Sequence, residues 1–146
     1  MSHWQTGKLD LKCSLNVLKK ALINIMPEWE EHMYVDEKGG LSTKYDAGTH
    51  NSKEKYELVV SSSKADRSAG LYSDIGFRKN EDDMWDIGGD YSIDSLKKKV
   101  TGEVMRMRTL AIAKLRGYEI LRNDIGEDEN VTEIRINAED AKTLLA

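Results

Sequence analysis

The sequence predicts an α+β fold: a single domain with a mostly antiparallel sheet and two principal helices packed on one face. Three observations predict it. Short runs alternate apolar and polar residues at period two. Only two longer segments carry helical periodicity. The two kinds of segment do not alternate as βαβ units would require. The length of 146 residues suits one domain, and a chain of that size can bury roughly 70% of its unfolded surface.

The elements follow in order. Trp4 to Lys12 is a strand, with Leu9 and Leu11 on one side. Ser14 offers an N-cap, and Leu15, Leu18, Leu22 and Ile25 follow at helical spacing until Pro27 stops the helix. His32 to Asp36 is a short strand. Lys38 to Lys53 is a polar loop with room for a short strand near Lys44-Tyr45. Tyr56, Leu58 and Val60 alternate as the next strand, and Ser61 to Gly70 is a surface loop by composition. Asp74 to Arg78 and Met84 to Ile87 form a hairpin around the turn Lys79 to Asp83, and Gly88-Gly89 breaks the pattern.

The strongest element runs from Ile93 to Arg116. Apolar residues at 93, 96, 100, 104, 107, 111 and 115 make one stripe, with Ser92 as N-cap and Gly117 just past the end. A helix of that length is about 36 Å long. Tyr118 to Asn123 and Val131 to Ile136 are two further strands, whose edge could pair between subunits of a homo-oligomer. Residues 1–136 make the domain. Residues 137–146 are a tail with a short helix capped by Asn137.

Composition excludes several classes of function. Charged residues make up 33% and apolar residues 39%, as in a soluble globular chain. The net charge of −4 disfavours binding to nucleic acid through global charge. A lone cysteine, Cys13, allows neither an intramolecular disulfide nor a multi-cysteine zinc site, and it fits a reducing compartment. No apolar run approaches the ~20 residues of a membrane span. The start MSHWQTGKLD lacks the apolar core of a signal peptide, so the expected location is the cytoplasm.

The stretch Asp74 to Asp94, DIGFRKNEDDMWDIGGDYSID, holds seven carboxylates against two cations. Glu81, Asp82 and Asp83 sit where turns favour acids, and two of Asp86, Asp90 and Asp94 can favour the positive end of a helix. The plain reading is therefore a solvated, capped turn. The functional reading is a small-ligand site of Asp74, Arg78, Trp85, Asp86, Gly88, Gly89 and Asp90, with a divalent metal left open as cofactor. The EF-hand spacing is absent, as are GxGxxG and GxxxxGK[ST]. Asp86 and Asp90 would repel a bare phosphate, so the two glycines read better as a tight strand-to-helix corner.

The long helix carries Lys97, Lys98, Lys99, Arg106, Arg108, Lys114 and Arg116 against Asp94 and Glu103. The plain reading is a solvated face. The functional reading is a docking stripe of Lys98, Met105, Arg106 and Arg108 for a protein partner, ahead of nucleic acid, since no aromatic residues interleave for base stacking. His3, His32 and His50 show no metal spacing, Cys13 has no paired histidine nearby, and Ser61-Ser62-Ser63 has no nucleophile elbow. No catalytic constellation emerges.

Three motifs together carry a resemblance. They are the opening MSHW before a strand and helix, SDIGFRKN before a Trp-containing strand, and a long helix ending in RGY followed by EILRNDIGEDENVTEIRI. In this order, over about residues 1–136, they resemble the hypothetical open-reading-frame thirty-five family of red-algal plastids and cyanobacteria. That family is a domain of unknown function, with relatives in other bacteria and in phages. The resemblance implies no established activity. It implies association with an AAA-type ATPase, because related genes often lie near one. The expected function is a non-catalytic accessory protein docking on a larger assembly. The alternative is a small-ligand or metal-dependent phosphate-binding protein using the acidic stretch.

Overall fold

The structure, a computed structural model, describes residues 5–43, 54–62, 74–89, 93–125 and 130–135. The elements are β1 (Gln5–Leu9), α1 (Leu15–Ile25), a 3-10 helix (Pro27–His32), β2 (Met33–Val35), β3 (Leu58–Val60), β4 (Ile75–Lys79), β5 (Trp85–Gly89), α2 (Ile93–Leu115), β6 (Glu119–Ile125) and β7 (Asn130–Arg135). The first five strands form one antiparallel sheet in the order β1-β5-β4-β3-β2, and α1 and α2 pack on it as a single α+β domain. β6 and β7 form a separate antiparallel pair that touches α2.

Local chemistry sets the ends of the elements. The Ser14 hydroxyl accepts the Val17 N–H at 3.2 Å, satisfying one of the donors that a helix start leaves open. Pro27 does not simply stop α1. It takes the first turn of the 3-10 helix, where its missing N–H costs nothing, and that turn buries Trp29. In the β4–β5 turn, Asn80 Oδ1 accepts the N–H groups of Asp82 at 2.9 Å and Met84 at 3.1 Å, while Asp83 takes a left-handed φ of 62°. Past α2, Gly117 adopts φ 71° and the Tyr118 N–H reaches back to Ala113 O at 2.8 Å, a six-to-one closure.

Register sorts the sheet into two faces. Leu9↔Trp85, Phe77↔Ile87, Leu58↔Phe77 and Val60↔Ile75 bring apolar residues together on the helix side. There they join Leu18 and Leu22 of α1 and Ile93, Leu96, Val100 and Val104 of α2 in one core. The other face presents two rows, Lys8↔Asp86↔Arg78 and Thr6↔Gly88↔Gly76.

Three expectations change here. Gly88-Gly89 does not form a corner, because both residues lie inside β5, Gly88 paired with β1 and β4 and Gly89 with β1. Gly89 is small for a packing reason: a Cβ there would meet Ile93 Cγ2 at 2.9 Å, so α2 begins directly against the strand. The apolar stripe of α2 is covered only as far as Met107, leaving Ala111 and Leu115 exposed. Arg106 is not part of a solvated face but lies buried beside Glu103. The expected strand at Lys44-Tyr45, most of the Ser61 to Gly70 loop, the Ser92 cap and the 137–146 tail lie outside the described residues.

Candidate functional site

Two surfaces hold the candidate residues, and strand parity decides which residue goes where. Asp86 and Arg78 stand side by side on the open face of the sheet, because β4 and β5 pair them directly. They line a cleft of about 310 Å³ with Thr6, Gly7, Lys8, Glu54, Tyr56 and Ile87. The Arg78 guanidinium bonds Glu54 through Nη1, and its Nε lies 3.9 Å from Asp86 Oδ2. Asp86 Oδ1 accepts Asn80 Nδ2 at 3.0 Å. The Tyr56 ring forms one wall. A Cβ on Gly76 would lie 2.6 Å from Tyr56 Cδ1, so the glycine is what lets the ring lie against β4.

The other members of the predicted ligand set do not converge there. Asp74 is buried, and its Oδ1 accepts the Ser62 N–H at 2.8 Å and the Ser62 hydroxyl at 2.9 Å, so it fastens β4 to the end of β3. Trp85 points into the core, with Nε1 donating to Cys13 O at 2.9 Å and the Lys79 ammonium 5.5 Å from its ring centroid. Gly88 shares the open face one row from Asp86, Gly89 faces Ile93, and Asp90 lies outside the described residues. Glu81, Asp82 and Asp83 stand in solvent, Asp83 pairing with Lys79 at 3.2 Å. Among the described residues no three His, Cys, Asp or Glu side chains gather closely enough to hold a metal ion.

The second surface is the outer side of α2. Met105 is 52% exposed, Ile112 49% and Leu115 87%. With exposed Arg108 they recur at spacings of three and four, which places them on one stripe. Arg108 also donates to the Lys12 carbonyl, tying this stripe to the segment before α1. Lys98 lies elsewhere, lining a shallow cleft of about 380 Å³ with Lys8, Asp10 and Lys97 between β1 and α2. Arg106 leaves the docking set. Its Nε and Nη2 bond Glu103 at 2.7 and 2.6 Å, and Asn24 of α1 donates to the same carboxylate at 2.8 Å. The hydrogen bonds that Arg106 donates to Glu103 raise its pKa. Burial pushes the Cys13 thiol up, against smaller opposing effects of Arg108, the Trp85 bond and Lys79.

Sequence reasoning missed Thr6, Lys8, Glu54 and Tyr56. The polar side of β1 was visible, but its pairing with β5 was not, and Lys8 meets Asp86 only through that pairing. It also missed Glu103. The available signal was that Glu103 is the sole acid between Asp94 and Glu119, three residues before an arginine. Comparison with known proteins adds no relative: no family model matches the chain, nor does any curated protein or solved structure.

Proposed function

We propose that this chain is a non-catalytic accessory module that docks on a larger protein assembly through the outer stripe of α2. The observation that carries this reading is the exposure of Met105, Ile112 and Leu115 in line with Arg108. Charge suggests the partner's chemistry. Between Asp94 and Glu119 the only acid is Glu103, which is buried, while Arg108 on the stripe and Lys114 and Arg116 at the same end of the helix are exposed. An acidic, partly apolar protein surface complements that stripe. The resemblance to the open-reading-frame thirty-five family directs the search to an AAA-type ATPase.

The test is native mass spectrometry of the chain purified gently from its own host, beside the double variant Met105→Glu, Ile112→Glu and a control at exposed Asp82. The expected result is one stoichiometric protein partner, lost in the double variant and kept in the control. A partner that survives the double variant would sink the reading. So would Mg²⁺-dependent turnover of nucleotide by the chain alone that Asp86→Asn abolishes.

A second reading, a small-ligand protein, draws on the cleft at Arg78 and Asp86. Its metal-dependent phosphate form gains nothing from the described geometry, since Asp74 and Asp86 serve different contacts.

A further inference from the structure

The open sheet face carries a row of alternating charge. Lys8, Asp86 and Arg78 stand on three adjacent strands, and Glu54 closes the row by pairing with Arg78. The formal charges of the four cancel, and with Glu54 displaced Arg78 and Asp86 remain as a cation beside a carboxylate, which suits a ligand that carries both signs.

Two details suggest how such a ligand would be held. Asp86 Oδ1 is occupied by Asn80, but Oδ2 lies 3.9 Å from Arg78 Nε, beyond hydrogen-bond reach, so it can accept a donor from outside. The Glu54 side chain is 52% exposed and that of Arg78 39%, so their pair contributes little and can exchange for another carboxylate. Glu54 stands where the carboxylate of a ligand would stand. At about 310 Å³ the cleft falls at the lower end of small-ligand sites, which span roughly 300–1,000 Å³.

We propose that this cleft binds the zwitterionic head of a free α-amino acid, with its carboxylate on Arg78 in place of Glu54 and its ammonium on Asp86. The two charged groups of the ligand are bonded to one carbon, matching the adjacent guanidinium and carboxylate. Lys8 adds a second cation beside Asp86, and the Tyr56 ring gives an apolar wall for the side chain. The site is separate from the outer stripe of α2 and does not depend on docking there.

The test titrates the twenty proteinogenic L-amino acids, one at a time, into the full chain, read by calorimetry and by amide shifts in NMR. At least one should bind with a Kd of about 10 mM or tighter. Its N-acetyl and its amide derivative should each bind about tenfold more weakly, because each removes one charge. Arg78→Gln should lose about tenfold, and Arg78→Lys should lose severalfold, since a lysine cannot offer two parallel donors. Glu54→Gln should tighten binding about threefold by removing the internal competitor, an effect that a merely structural ion pair would not produce. Far-UV circular dichroism checks that each variant folds, and Arg78→Lys decides if Arg78→Gln does not. Three results would each overturn the proposal: no amino acid bound by either wild type or Glu54→Gln, binding that survives the blocked derivatives or both Arg78 variants, or weaker binding in Glu54→Gln.

Discussion

The first half of α2 buries Ile93, Leu96, Val100 and Val104, whereas in the second half the same stripe leaves Ala111 and Leu115 open to solvent. Both halves carry apolar residues at helical spacing, so periodicity does not separate them. Length does. A five-residue strand such as β5 spans about 17 Å, while the 23 residues of α2 span about 35 Å. The helix outruns the sheet that covers it. An apolar stripe therefore says which face of a helix can be buried, and the size of the neighbouring element says how much of it is.

The boundary between the halves is marked by Glu103, Arg106 and Asn24, which lock α2 to α1. Glu103→Ala should have the largest effect, about 3–5 kcal/mol, because it removes the buried carboxylate that bonds Arg106 twice and Asn24 once. Glu103→Leu combined with Arg106→Met should recover most of that loss in urea melts. If the single variant cost nothing, the division of α2 at this point would be wrong.

Leu96→Ala should cost about 2–4 kcal/mol as a core truncation. Leu115→Ala should change stability by less than about 0.5 kcal/mol. Equal losses in chemical denaturation would erase the contrast between the two halves.

The smallest effect concerns Arg108, which reaches from the outer stripe to Lys12 and favours the thiolate of Cys13. Burial holds the folded thiol above its unfolded pKa, so the folded state keeps its proton longer. The resulting stabilisation is present below the unfolded value and is lost as pH rises towards the folded one. At about pH 8.5, iodoacetamide should modify native Cys13 more slowly than the unfolded chain. Arg108→Gln should slow it further. Faster modification in the variant would mean that the tether shields the thiol more than the charge activates it.

Elements governed by local chemistry were legible in the sequence. Ser14 as cap, Gly117 past the helix end and the β4–β5 hairpin need only neighbouring residues, and the observed order of strands and helices follows from such signals. Contacts made across the sheet were not legible. Gly88-Gly89 looked like a corner because glycine weakens an isolated strand, yet β5 is secured by its neighbours and by α2 packing on Gly89. Arg106 looked solvated because charge counting carries no depth. At the candidate site, Arg78 and Asp86 were legible as polar positions of one hairpin, while Lys8 and Glu54 enter only through pairing with distant strands and side chains.

The placement of β1 has a consequence for the order of folding. β1 pairs with β5, and the bonds that secure the first elements, Trp85 to Cys13 and Asn24 to Glu103, span 72 and 79 residues of chain. Closing loops of that length costs chain entropy before any contact offsets it, whereas the β4–β5 hairpin closes locally. On a ribosome, the first strand and helix would emerge well before the residues that hold them. The N-terminal segment must wait, with Leu9, Leu18 and Leu22 uncovered, until synthesis has passed α2. Fast translation between α1 and α2, or a chaperone over that interval, would then shorten the exposure of these residues.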